Sequence, residues 1–147
     1  MLLNLLIGLS TMSVCLLLQS ILLVHAIRYY SHHQQQISSP SSWSTLMVLS
    51  TVMLLLVIGN VLQLVIWAVV FVLLGEFSNL ADAVYHSAVN FATLGYGDIV
   101  MSEKHRLLGP IEAINGVIMI GVSTASLMST FQDILKHIVQ TKQDVGA

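Results

Sequence analysis

Residues 93–98 read Thr-Leu-Gly-Tyr-Gly-Asp, and this hexapeptide concentrates the chemistry available to the chain. Two glycines alternate with bulkier residues. Glycine reaches φ values that other residues resist, so successive carbonyls can all point to one side. Four such loops around an axis would stack rings of carbonyl oxygens able to replace the water shell of a dehydrated cation. The segment before it is organised to help. Asn79 reads as an N-cap and Asp82 falls at the third helical position, in the manner of a capping box. A short helix over 80–92 then runs straight into the hexapeptide. Its C-terminal end, carrying roughly half a negative charge, would favour a cation there.

The elements that must position this loop follow from composition. The chain has 147 residues, of which 56% are hydrophobic and only 8% charged, and a mean hydropathy of +0.86. A soluble domain carries about 25% charged residues, so a soluble enzyme is not expected. Five Lys plus Arg and a net charge of −2 argue against a nucleic-acid partner. The one cysteine, Cys15, cannot build an intrachain disulfide or a Cys-rich zinc site. No Asp, Glu, Lys or Arg occurs in 1–27, between Arg28 and Glu76, or between Glu112 and Asp133. Apolar stretches over 2–27, 43–74 and 107–131 lie largely in these gaps, and each exceeds the roughly 20 residues a helix needs to cross a bilayer. Val24-His25-Ala26 mimics a signal cleavage site, but the apolar run is too long and lacks a preceding positive charge, so a retained helix is expected.

The predicted fold is an all-α membrane protein with three transmembrane helices, a re-entrant pore helix and a filter loop. Residues 1–27 form the first span, and 28–42, Ser-rich and broken by Pro40, form a loop. The outer helix covers 43–75, the pore helix 80–92, the filter 93–98 and the inner helix 107–135, so that 43–135 makes one pore module followed by a tail over 136–147. His25, His32 and His33 lack acidic or Cys companions and read as solvated rather than metal-binding.

Placed between two spans and after a capped helix, the hexapeptide gives the stretch 80–127 a resemblance to the pore module of tetrameric potassium channels, above all the small bacterial channels with a TLGYGD filter. The resemblance implies a homotetramer in membrane lipid, with K⁺ as the permeant ion and no other cofactor or small-molecule substrate. Thr93 would supply hydroxyl and carbonyl ligands, and Leu94, Gly95 and Tyr96 carbonyls. Gly97 completes the filter, the Tyr96 ring braces it, and Asp98 sits at the outer mouth. Leu94 stands where Val is commoner, Tyr85-His86 replaces the usual aromatic pair, and Ala92 replaces a common Thr, which implies a weaker aromatic cuff. The first span has no counterpart in minimal two-helix channels and lacks the regularly spaced arginines of a voltage sensor.

Further residues are singled out by position. Glu112, an acid one turn into the last span after Pro110, has two readings: a wetted interfacial carboxylate, or a hydrogen bond behind the filter to Tyr85, His86 or Asn90, with Asn115 joining. Gly121 lies near the family's hinge glycine, with Gly116 as the rival site and close helix packing as the plain alternative. Val122, Ala125, Ser126, Ser129 and Asp133 recur at steps of 3 or 4 and would line the cavity and inner mouth, unless the hydroxyls simply bond back to their own helix. Asn60 and Gln63, mid-span, should face protein as interhelical glue. His86 has the pKa of a proton sensor or is a satisfied pore-helix histidine.

If the filter opens outward, the N-terminus lies outside and the C-terminus in the cytoplasm. Arg28, Lys136 and Lys142 then lie inside against Lys104 and Arg106 outside, the correct sign for the positive-inside rule. The expected function is passive, selective K⁺ conduction across a plasma or bacterial inner membrane. A less selective cation channel and a non-conducting membrane subunit are the competing readings, and no acid, His or Ser pair has catalytic spacing within the spans.

Overall fold

The computed structural model describes residues 1–34 and 42–145. Four helices run in chain order: α1 (Leu2–Gln34), α2 (Ser42–Leu73), α3 (Leu80–Phe91) and α4 (Leu108–Val145). The segments Leu2–Tyr29, Leu46–Leu73 and Leu108–Lys136 are each long and apolar enough to cross a membrane.

Two boundaries differ from the sequence reading. The loop expected from residue 28 is helical as far as Gln34. No Gly or Pro occurs between Arg28 and Pro40, and Arg, His and Gln accept helical backbone at small cost, so polarity alone does not end the helix. The remainder of that loop, 35–41, lies outside the described residues. Likewise the last helix does not stop near 135 but continues through the expected tail to Val145. At about 1.5 Å per residue both helices outreach the ~30 Å hydrocarbon core and project beyond it.

The three long helices form an up–down–up bundle. Near one end Cys15 of α1, Trp67 and Phe71 of α2, and Leu108 and Ile111 of α4 form the core. Further along, Ala26 packs on Val52 and Leu56, and at the far end Val48 packs on Ile134. Residue numbers rise together along α1 and α4 and fall along α2, so α1 runs parallel to α4 and antiparallel to α2. Glycines allow close approach: a Cβ on Gly8 would lie 2.7 Å from Ile111 Cδ1. Asn4 Nδ2 donates to the Lys104 carbonyl at 2.6 Å, so the start of α1 and the loop after the hexapeptide share one end of the bundle.

α2 ends in a Schellman cap. Glu76 N bonds Phe71 O at 3.1 Å and Gly75 N bonds Val72 O at 3.0 Å, with Gly75 at φ 75°. Glycine takes this left-handed position without steric cost. The chain then reverses into α3, which packs against both α2 and α4.

Candidate functional site

Asn79 caps α3 as the sequence predicts, its side chain accepting from Ala81 N at 3.0 Å, and Asp82 lies in the first turn. The other end of α3 shapes the hexapeptide. Thr93 N bonds Asn90 O and Leu94 N bonds Val89 O, each at 2.8 Å. This is a second Schellman cap, but with Thr93 at the left-handed position, φ 59°. Thr93 is the one non-glycine residue with positive φ among those described. A β-branched residue there is strained, by about 1–3 kcal/mol. Gly95 and Gly97 follow at φ 59° and 73°, so every second residue from 93 to 97 is left-handed while Leu94 and Tyr96 are not.

The returning flank of this loop is tied to α3 at two points. Tyr85 Oη donates to Asp98 Oδ2 at 2.6 Å. This bond, with backbone amides of Asp98 and Ile99, holds the exposed Asp98 carboxyl below its usual range, and it raises the Tyr85 phenol. His86 uses both ring nitrogens. Nδ1 lies 2.9 Å from the Ile99 carbonyl, which can only accept, so Nδ1 carries the proton and Nε2 accepts from Asn90 Nδ2 at 2.9 Å. Phe71 and Phe77 flank the same ring, at centroid distances of 5.7 and 5.1 Å. His86 is thus a buried, satisfied clamp on the returning chain.

A second clamp stands beyond it. Glu76, just after α2, accepts from Ser102 N and Ser102 Oγ, each at 2.6 Å, and from His105 Nδ1 at 2.5 Å. Burial by itself would raise the Glu76 carboxyl, but the Ser102 hydroxyl and amide together with His105 outweigh it and hold the group below its ordinary value.

Behind the hexapeptide, α4 meets α3 at closest range. A Cβ on Gly116 would lie 2.0 Å from Phe91 O and 2.8 Å from its carbonyl carbon. Gly116 is therefore a packing glycine at the end of α3. Gly121 has nothing within 4 Å of such a Cβ. Glu112 is fully buried, and its carboxyl meets the Ser87 hydroxyl, whose oxygen also stands 2.9 Å from Leu64 O of α2. Three helices are joined at one serine. The acid does reach α3, but its close partner is Ser87 rather than Tyr85 or His86, with Asn90 contributing a further side-chain interaction. Asn115 turns elsewhere, donating to Gln63 Oε1 at 3.2 Å.

Along the lower half of α4, Ser126 donates back to Val122 O at 2.8 Å. Ala125, Ser129 and Asp133 are exposed in the single chain, Val122 and Ser126 half-buried, and Asp133 Oδ1 stands 4.0 Å from Lys136 Nζ. Sequence reasoning missed Ser87, the Glu76–Ser102–His105 cluster, and Asn4 and Gln19 of α1. A polar side chain inside an otherwise apolar helix is the signal that could have found the last two.

A search of curated proteins and a search of solved structures returned no match. A family model described as an ion channel (Ion_trans_2) matches residues 60–133, a span that takes in the second half of α2, all of α3, the hexapeptide and most of α4. That span is half of the chain and contains the whole clamped loop, and the chain belongs to this ion-channel family.

Proposed function

We propose that the chain forms a homotetramer whose central loops, Thr93 to Gly97, conduct K⁺ selectively and passively. The observation that carries this reading is the alternation of φ at 93, 95 and 97 directly below the C-terminal end of α3. Alternating hands turn successive peptide planes alike, which suits a column of carbonyl ligands, and the helix end adds cation-favouring charge. α3 is then the re-entrant pore helix, α2 the outer helix and α4 the inner helix. Leu94 and Tyr96, 54% and 65% exposed in the single chain, find cover in neighbouring copies. Thr93, Leu94, Gly95 and Tyr96 are the K⁺ ligands and Asp98 marks the outer mouth. Val122, Ala125, Ser126, Ser129 and Asp133 line the lower path, and Gly121 is its candidate hinge. The clamped loop faces outside with the N-terminus, and the C-terminus is cytoplasmic, in a plasma or bacterial inner membrane.

Purified protein in liposomes tests the reading. Wild type should carry K⁺ but not Na⁺ and migrate as four chains. Gly95→Ala should abolish flux while leaving assembly intact, because alanine resists φ 59°. Wild-type flux from Gly95→Ala removes this loop from the conduction path. A reversal potential near zero in opposed K⁺ and Na⁺ gradients replaces the K⁺ channel with a less selective one.

A further inference from the structure

The first helix is joined to the pore module by a chain of buried amides. Gln63 of α2 donates to Gln19 Oε1 at 3.0 Å, and Gln19 Nε2 reaches Ser123 Oγ of α4 at 3.4 Å. Asn115 of α4 donates to Gln63 Oε1 at 3.2 Å. The residues are 0–9% exposed. A cradle is built for the central side chain: a Cβ on Gly59 would stand 2.6 Å from Gln19 Oε1. Buried amides without partners are costly in an apolar surrounding, so this is a specified arrangement and not incidental contact.

The bridge returns to α4 at two points, Asn115 and Ser123, about 12 Å apart along the helix axis. Gly116 and Gly121 lie between them. The upper point is fixed, since Gly116 sits against Phe91 and Glu112 against Ser87. The lower point lies beyond Gly121, which has open space around it; sharp bends in helices fall at such residues. A bend of α4 at Gly121 away from α1 would displace Ser123 from Gln19 while Asn115 stays in place.

We propose that α1 is a latch on the inner helix, with Gln19 as the positioning residue that holds Ser123 and so restrains the lower half of α4. The bond is long and single, so its release is reversible. A hydrogen bond of this kind within a membrane bundle shifts an equilibrium about threefold per chain, and on the order of 60-fold if four chains move together. The latch rests on the channel reading above.

Single-channel recording of the full chain in planar bilayers tests it with an isosteric pair. Ser123→Thr keeps a hydroxyl to accept from Gln19, and Ser123→Val does not. The expected result is a wild-type open probability for Ser123→Thr and a raised one for Ser123→Val, with no further rise when Gln19→Met is added to Ser123→Val. Equal open probabilities for the Thr and Val proteins overturn the latch. The reversal potential reads the filter separately: a loss of K⁺ preference in wild type with the Thr/Val difference intact overturns selectivity alone. Absence of current from all four proteins overturns both.

Discussion

Two glycines on α4 should respond to alanine with opposite signs. Alanine in a helix interior is favoured over glycine by about 1 kcal/mol, so without other contacts both Gly116→Ala and Gly121→Ala would stabilise the protein. At Gly121 nothing lies within 4 Å of the new methyl, and the gain should appear nearly whole. At Gly116 the methyl would stand 2.0 Å from Phe91 O, and backbone atoms of Phe91 are its three nearest neighbours. No side chain can swing aside, so α4 and the end of α3 must part by at least 1 Å to reach the 3.0 Å that Cβ contacts respect. Overpacking of this kind costs typically 1–3 kcal/mol, and a backbone clash belongs at the upper end. The net expectation is about 2 kcal/mol of destabilisation for Gly116→Ala against about 1 kcal/mol of stabilisation for Gly121→Ala. Denaturant titration in mixed micelles, followed by helical circular dichroism, measures both. Because Phe91 precedes Thr93 by two residues, K⁺ flux should fall in Gly116→Ala as well. Equal stability of Gly116→Ala and wild type, or one common sign for the two variants, refutes the packing argument.

Three further outcomes are expected. Thr93→Gly should remove the left-handed strain and leave the fold as stable as wild type or more so, yet lose selectivity in the flux assay; a Thr93→Gly protein of unchanged selectivity shows that the side chain serves no ion. Tyr85→Phe should keep assembly but shorten the time for which currents are sustained, since it frees Asp98 on one flank of the loop; unaltered currents make the bond ornamental. Glu76 has a depressed pKa in the folded chain, so its stabilising contribution is full above the ordinary carboxylate value near 4.5 and is lost as pH falls through the depressed value. Wild type should therefore be more stable than Glu76→Gln by about 1–3 kcal/mol at pH 7, and thermal melts of the two proteins should converge as the pH is lowered below 4.5; a gap independent of pH refutes the clamp.

The helices, the cap at Asn79 and the alternation in the hexapeptide are written in the sequence because each depends on near neighbours. Charge gaps mark spans, an Asn three residues before an Asp marks a helix start, and Gly at every second position marks alternating backbone. The partners of Glu112, Gln19 and Glu76 depend instead on how helices are rotated against one another. The position of Glu112 suits a contact with α3, but which polar residue on that helix it meets depends on a rotation that no local pattern encodes. Gln19 stands mid-span in α1 with no counterpart that the sequence reveals. Its partners lie 44 and 104 residues away. The end of α1 differs for another reason: polar residues signal the membrane boundary, whereas a helix stops where a breaker or cap ends it, and between Arg28 and Gln34 there is no Gly or Pro to do so.

The two Schellman caps make the case for the loop in physical terms. Both α2 and α3 close with the same pair of backbone bonds, and both place a left-handed residue at the same step. At the end of α2 that residue is Gly75, the choice that local energetics favours. At the end of α3 it is Thr93, a β-branched residue that resists the conformation. Helix closure alone gives no reason for the second choice. The clamps that hold Thr93 in place are made on either side, by Tyr85 and His86 on the returning chain and by Gly116 and Glu112 behind α3. Strain that persists because its surroundings restrain it clusters at functional sites, where the strained group takes part in the mechanism. On the reading proposed above, with the C-terminal end of α3 adjoining that residue and glycines continuing the same alternation, that role would be coordination of the permeant cation.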